Sequence, residues 1–407
     1  MVVNVALYKK RRDTLMKLVD GPVLLVGSCE NGQEKFCQNS TFYYFTGITE
    51  PGALYKHGYS VLFLPRYAMD RSAWMLDSIS VDQITADRHG FSAVEYLGQS
   101  CKGYSFDAYF NYDQCSNLIA HLLKIVHGQS KLFTQSKSYC VDRLSSMVDG
   151  LQSFLVPLDR YSAQLRRTKD QEEIRALFDA IEITVTAQYA AAQAIKAEAH
   201  ESQVAASVNY VFIENGAREA FPSIIGSGPN STILHYNQNQ RVMKENELVV
   251  VDIGARFNYY CGDITRTYPV SGTFTERQKN VYLAVLEAHT VAALHAQPGY
   301  WIRNNDNPEK SLHHIALKIL QKNGLGDYFV HGIGHFLGLD VHDVGTSSDP
   351  LKEGDVITIE PGVYIPEELL GIRLEDNYWI IQDGAICLSE SLPKDIQSIE
   401  QMMRATI

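Results

Sequence analysis

A chain of 407 residues with 45% apolar and 20% charged residues has the composition of a folded globular protein of two or three domains, and the disordered and fibrous classes are excluded. A formal net charge of −11 argues against nucleic acid as a partner, because binding phosphates requires clustered Lys and Arg. No run reaches the roughly 18 apolar residues needed to span a bilayer. The basic run Lys9–Arg12 follows the apolar start Met1–Leu7, the reverse of a secretory signal, so no membrane partner and a cytoplasmic location are expected.

Up to about Leu158, short apolar runs (Val23–Val26, Val61–Leu64) mix with helical patterns such as Cys115–Val126, which predicts an α/β unit. Seven scattered cysteines without a CxxC pair read as reduced structural thiols. The polar, basic stretch with Arg166, Arg167 and Lys169 is the best linker candidate, which places a domain boundary near residue 160. Beyond it, Ile174, Leu177, Phe178, Ile181, Val185, Tyr189, Ala192 and Ile195 recur every three or four residues, predicting a long amphipathic helix over 171–199. Further helices are expected at about 201–215, 276–296 and 310–323, alternating with antiparallel strand pairs around 248–270 and 356–382. This second part therefore reads as α+β, with two similar halves.

Each strand pair carries two acids. Asp252 lies inside the apolar run Val249–Gly254, and Asp263 follows in Cys261–Thr267. A turn at their midpoint, Phe257–Asn258, would make them directly opposed cross-strand neighbours, with side chains ~5 Å apart. Glu360 and Glu375 are likewise symmetric about Glu367 and Glu368. A single strand acid is commonly an edge residue facing water, but two mirrored pairs repel unless cations lie between them.

Between the pairs runs His331-Gly332-Ile333-Gly334-His335-Phe336-Leu337-Gly338-Leu339-Asp340-Val341-His342-Asp343. His331 and His335 have the spacing of a zinc helix, but the intervening glycines disfavour a helix and no Glu follows His331. Four carboxylates and one imidazole suit two divalent cations with mixed oxygen and nitrogen ligands, such as Mn, Co or Zn. His313, His314 and His57 read as core or surface histidines instead.

With their flanks VDIGA, GDITRT, HGIGHFLGLDVHDVG, TIEPGVY and GIRLED, these residues resemble the pita-bread metallopeptidases. The likeness covers about residues 160–400. A weaker one, through Gln38–Gly47 (QNSTFYYFTG), is to the N-terminal domain of the aminopeptidase P family, although Cys37 stands where that family carries a basic residue. The resemblance implies an α/β N-terminal domain, residues 1–160, followed by an α+β pita-bread (creatinase/aminopeptidase-like) catalytic domain, residues 161–407. It implies that Asp252 holds one metal, that His335 and Glu360 hold the other, and that Asp263 and Glu375 bridge them, with Mn2+ the usual occupant.

By the same matching, His235 and His342 resemble histidines that bind substrate and stabilise the transition state, and His331, Tyr364 and Arg373 resemble their support. The expected reaction is attack of a metal-bridging hydroxide on the N-terminal Xaa-Pro bond, with Glu360 relaying a proton. The expected partners are peptides with proline at the second position, and a homodimer or homotetramer is implied. Family dipeptidases acting on Xaa-Pro carry an extra arginine after the VHD segment, which Val344–Leu351 lacks, so the aminopeptidase is favoured over the dipeptidase. Relatives that have lost ligands serve as peptide-binding modules, a reading that the presence of all five ligands disfavours.

Overall fold

Short apolar runs bounded by turns become the strands of the first part of the chain. The computed structural model describes residues 5–30, 35–69, 79–101 and 111–404, so Met1–Asn4 of the apolar start lie outside the described residues. Two units divide between Arg166 and Arg167. In the first, the chain runs α1 (Val5–Leu18), β1 (Val23–Val26), α2 (Ser40–Thr46), β2 (Ala53–His57), β3 (Tyr59–Leu64), α3 (Gln83–His89) and β4 (Ala93–Tyr96). It continues through α4 (Ser116–His127), β5 (Leu132–Thr134), α5 (Tyr139–Ser145), β6 (Leu155–Pro157) and α6 (Asp159–Arg167). The strands form one mixed sheet in the order β4-β3-β2-β1-β5-β6, antiparallel at β3-β2-β1 and parallel elsewhere. This is the α/β unit expected from the mixture of short apolar runs and helical patterns. The QNSTFYYFTG segment supplies α2: Asn39 caps it by accepting from Phe42 N, Phe42–Thr46 are buried, and Gly47 ends it in the left-handed conformation.

The second unit opens with α7 (Gln171–Ala194), started by a capping box of Asp170 and Glu173, and α8 (Glu201–Glu214). Leu177 and Ile181 on α7 are fully buried, each worth about 1.5–3 kcal/mol of burial. Phe178, part of the periodic stripe, is half exposed. Next come β7 (Arg218–Glu219), β8 (Ile224–Ser227), β9 (Leu248–Ile253), β10 (Ala255–Phe257), β11 (Tyr260–Cys261) and β12 (Ile264–Pro269). The remaining elements are α9 (Glu276–Leu294), α10 (Leu312–Lys322), β13 (Val356–Ile359), β14 (Gly362–Ile365), β15 (Leu370–Arg373), β16 (Asp376–Ile381), β17 (Gly384–Cys387) and α11 (Ile396–Arg404). The expected helices and strand pairs all form. Each half contributes a packed helix pair, α7 with α8 and α9 with α10, and an antiparallel three-stranded sheet, β8-β9-β12 and β13-β16-β17.

The basic stretch marked as a linker by its polarity is buried. Arg167 pairs with Asp355 at 2.7 Å, and Lys169 pairs with Asp343 at 3.0 Å with both side chains almost wholly enclosed. Polar composition suggested solvent here, but long-range ion pairs satisfy these charges inside the second unit.

The register of the first strand pair differs from expectation. Asp252 faces Thr265 on β12, not Asp263, because the hairpin turns at Asn258–Tyr259, one residue later than the midpoint of the acids. Both turn residues have positive φ, +49° and +72°, the backbone of a tight two-residue hairpin turn that Asn favours at its first position. The slip moves pairing by two residues, so Asp263 keeps the same face as Asp252 and becomes its diagonal neighbour. The second pair is in the expected register: Ile359 faces Asp376 and Gly362 faces Arg373, so Glu360 and Glu375 lie opposite each other at the break between β13-β16 and β14-β15.

Candidate metal centre and substrate cleft

Helix α7 braces the first acidic strand pair from behind. Gln188 Nε2 donates to Val251 O at 3.1 Å and to Ile264 O at 2.7 Å, joining β9 and β12 beside Asp252 and Asp263. Gly262 lets the ribbon approach this closely, since a Cβ there would meet Thr184 Oγ1 and the Ala180 carbonyl. The histidine segment 331–343 forms no helix, as its glycines predict. It is laid along β13 instead: Thr358 N donates to His335 O at 2.9 Å, Glu360 N donates to Ile333 O at 2.8 Å, and a Cβ at Gly334 would strike the Thr358 carbonyl.

These elements converge on a cleft of about 670 Å³. Asp252, Asp263, His335, Glu360, Glu375, His235, His342, His331 and Arg373 all line it, and Tyr364 stands behind, bonded to two of them. His335 Nε2 lies 3.4 Å from Asp263 Oδ2 and 3.7 Å from Glu360 Oε1. One ligand atom each from Asp263, His335 and Glu375 falls within 4.8 Å of the others. His335 Nδ1 bonds the Phe336 carbonyl at 3.1 Å; a carbonyl only accepts, so this nitrogen carries the proton and Nε2 presents its lone pair to the carboxylates.

Burial pushes the Asp263 and Glu375 carboxyls well above their ordinary range, and repulsion from the neighbouring carboxylates pushes them further. Glu360 is raised by burial too, against the pull of His335 and Arg373. Asp252 Oδ1 is buried without a hydrogen-bond partner. Repelling carboxylates, an orphaned carboxylate oxygen and a bare imidazole nitrogen form a donor set that fits borderline divalent cations of the Mn, Co and Zn type.

A second layer of bonds aims these groups. Arg373 Nη2 donates to Asp252 Oδ2 at 2.7 Å, Nη1 to Tyr364 Oη at 2.7 Å, and Nε to Thr265 Oγ1 at 3.2 Å. Thr265 in turn donates to Glu375 Oε2 at 2.7 Å. His331 Nδ1 donates to the Gly332 carbonyl at 2.8 Å, leaving Nε2 to accept from Tyr364 at 3.0 Å. Burial, then the nearby Arg373 charge, lowers the His331 pKa to about 3, so its ring is neutral. His342 is lowered by burial and by the neighbouring His335 and His235, and its ring centroid lies 4.2 Å from that of His335.

Thr265, Thr358 and Asn377, which bonds the Asp263 backbone, escaped sequence reasoning because hydroxyls and amides have no ligand spacing to betray them. Thr265 was within reach, lying two residues past Asp263 on the same strand face. His313 stays outside the cleft lining and packs on Phe329, ring centroids 4.9 Å apart.

Comparison with known proteins agrees with this geometry. Residues 175–382 match the model of metallopeptidase family M24, and residues 8–124 match the aminopeptidase P N-terminal domain. The chain is 31% identical to the Xaa-Pro aminopeptidase of Escherichia coli, covering 98% of this chain and 97% of that one. It is 41% identical to the Xaa-Pro dipeptidase of Pyrococcus furiosus over 58% of this chain and 66% of that one. The structure of E. coli aminopeptidase P with the inhibitor Pro-Leu superposes with a TM-score of 0.85 at 27% identity, covering 100% of this chain and 99% of that one. The second unit thus has the pita-bread fold, and the chain belongs to metallopeptidase family M24, with an aminopeptidase P N-terminal domain ahead of its catalytic domain.

Proposed function

We propose that the protein is a dinuclear metal-dependent aminopeptidase that removes the N-terminal residue from peptides with proline at the second position. The observation that carries this reading is the convergence of Asp252, Asp263, His335, Glu360 and Glu375 in one cleft, with His335 Nε2 presented to the carboxylates. Asp252 would hold one cation, His335 and Glu360 the other, and Asp263 and Glu375 both, with Mn2+ the first choice. Two such cations would supply Lewis acidity and lower the pKa of water towards neutrality.

The chain's own residues supply the rest. Arg373, clamped by Tyr364 and Thr265, orients Asp252 with its planar fork. His235, on the cleft wall, would meet the charge that develops on the first residue's carbonyl oxygen, and His342, also on the wall, would hold the second residue's carbonyl. Glu360, on the cleft wall, would take the proton of the attacking water and relay it to the proline nitrogen as the bond breaks. Proline nitrogen belongs to a tertiary amide without N–H, so selection for it rests on pocket shape; Phe221, Pro222, Leu234 and Val341 supply apolar wall.

The aminopeptidase is favoured over the dipeptidase by the N-terminal domain match and by Val344–Leu351, which lacks a cation to grip a dipeptide carboxylate. Seven scattered cysteines without a CxxC pair fit a cytoplasmic site of action. Initial rates with added Mn2+ on an Xaa-Pro dipeptide and an Xaa-Pro-Xaa tripeptide test the reading, with Asp263→Ala as control. Cleavage of the tripeptide, lost in the control, is expected. Cleavage of the dipeptide alone would assign the chain to the dipeptidases, and cleavage of neither would leave a peptide-binding module.

A further inference from the structure

The ring of His235 is exposed on the cleft wall, so its place is set by the backbone that carries it, the segment 228–241 between β8 and β9. That segment closes around one side chain. Glu201, the first residue of α8, is fully buried. Its Oε1 accepts from Ser227 N at 2.8 Å, Ser227 Oγ at 2.6 Å and Asn230 Nδ2 at 3.2 Å. Its Oε2 accepts from Tyr236 Oη at 2.8 Å and Arg241 N at 2.9 Å. Both ends of the segment and its middle are thus tied to one carboxylate. Each of these bonds is donated to Glu201, so the site takes two acceptor oxygens and has no place for an amide NH2. On either side of His235, Ser231 Oγ accepts from Gly371 N on β15 at 2.8 Å, and Asn239 Oδ1 accepts from Ile225 N on β8 at 3.0 Å. Between those two anchors, the tie adjoining His235 is the Tyr236 hydroxyl, which donates to Glu201 and accepts from Gln240 N at 3.1 Å.

We propose that Glu201 is a positioning residue for the reaction: through the Tyr236 hydroxyl it fixes the backbone at His235, and with it the place of the imidazole. The inference rests on the reading above, in which His235 meets the charge on the first residue's carbonyl oxygen. A donor serves a developing oxyanion only within about 2.7–3.1 Å, and a displacement of about 1 Å can cost 10²-fold in rate. Ser231 and Asn239 still hold the segment when the Tyr236 bond is lost, so the loss shifts His235 without unfolding the wall. Asp252, Asp263, His335, Glu360 and Glu375 all lie outside the segment, so the metal centre keeps its ligands.

The test is a set of double-mutant cycles on kcat/KM for Ala-Pro-Ala, in the full chain with saturating Mn2+. Tyr236→Phe and Glu201→Gln are each made in wild type, in His235→Ala and in His342→Ala. Each should lower kcat/KM by about ten-fold in wild type and again in His342→Ala, with Mn2+ affinity unchanged. In His235→Ala neither should lower it further, because the group they position is gone. A misfolded fraction lowers every background alike and does not imitate this pattern, and Tyr236→Phe, which lacks a single hydroxyl, decides the matter if Glu201→Gln folds poorly. An equal loss in His235→Ala would overturn the proposal by showing that the bonds serve the fold at large. So would an unchanged rate in Tyr236→Phe, or a loss that vanishes in His342→Ala as well. If wild type leaves Ala-Pro-Ala uncut, or His235→Ala cuts it as fast as wild type, the reading of the site itself fails, and the proposal falls with it.

Discussion

Arg373 Nη2 donates to Asp252 Oδ2 at 2.7 Å, so a carboxylate on β9 is aimed by a guanidinium from β15, a strand of the other half of the domain. Both side chains are almost enclosed. Replacing Arg373 by Met leaves Asp252 buried without its counter-charge, a change that typically costs about 3–5 kcal/mol. Arg373→Met should therefore lower the urea midpoint and weaken metal binding together. A metal-free Tm equal to that of wild type would show that the pair does not hold the strand.

Thr265 joins the same network one step further out, accepting from Arg373 and donating to Glu375. Thr265→Val keeps the shape and removes both bonds. Metal affinity, read by competition with a fluorescent chelator, should fall by about 10- to 100-fold. Thr265→Ser, which restores the hydroxyl, should recover most of it.

Stripping the metals should expose the repulsion among the acids. The Asp263, Glu375 and Glu360 carboxyls are raised in the folded metal-free protein, each by burial first. Between the ordinary carboxylate pKa near ~4 and these raised values, the folded state binds more protons than the unfolded one, so stability falls as pH rises. Measured against Asp263→Asn with Glu375→Gln, the Tm of the chelated protein should drop with increasing pH from about 5 upwards, the opposite contribution of buried neutral histidines such as His331 being common to both. Saturating Mn2+ should flatten that slope, and Asp263→Asn with Glu375→Gln should flatten it without metal while abolishing hydrolysis. A chelated protein whose Tm falls no more steeply with pH than that of the double variant would contradict the carboxylate cluster.

His235, like His342, is exposed on the cleft wall. His235→Ala should lower kcat for the tripeptide by about 10²-fold with little change in Tm, because losing one donor to a developing oxyanion costs roughly 10²–10³ in rate. A change confined to KM would make it a ground-state contact.

Behind the centre, Asp376 is fully buried between Arg266 at 2.8 Å, His289 Nε2 at 3.4 Å and Lys394. Against the cost of burial, Arg266 and Lys394 hold its carboxyl far below the usual range, while burial keeps the His289 ring neutral. Asp376→Asn leaves Arg266 uncompensated and should cost roughly 3–5 kcal/mol of stability. Denaturant titration of the metal-loaded protein measures this directly.

Much of this was legible in the sequence. The helix period over 171–199, the strand pairs, and the symmetry of Glu360 and Glu375 depend on local alternation, which the chain carries in its own order. The identities of the five acid and imidazole groups also follow from residue type and flanking motif. The turn between Asp252 and Asp263 was misplaced because Tyr259 takes a left-handed backbone that its side chain does not advertise, and only pairing across both strands fixes such a turn. The burial of Arg167 and Lys169 was not legible, because Asp343, Asp349 and Asp355 lie too far along the chain for composition to reveal them as partners. By itself, then, the sequence determined which side chains are candidates for the chemistry and which segments are helix or strand, since these depend on residue type and short-range period. Tertiary structure alone decided the distances among the acids, the tautomers of His331 and His335, the hydroxyl of Thr265 between Arg373 and Glu375, and the bond of Glu201 to Tyr236 beside His235, because each depends on groups brought together from distant parts of the chain.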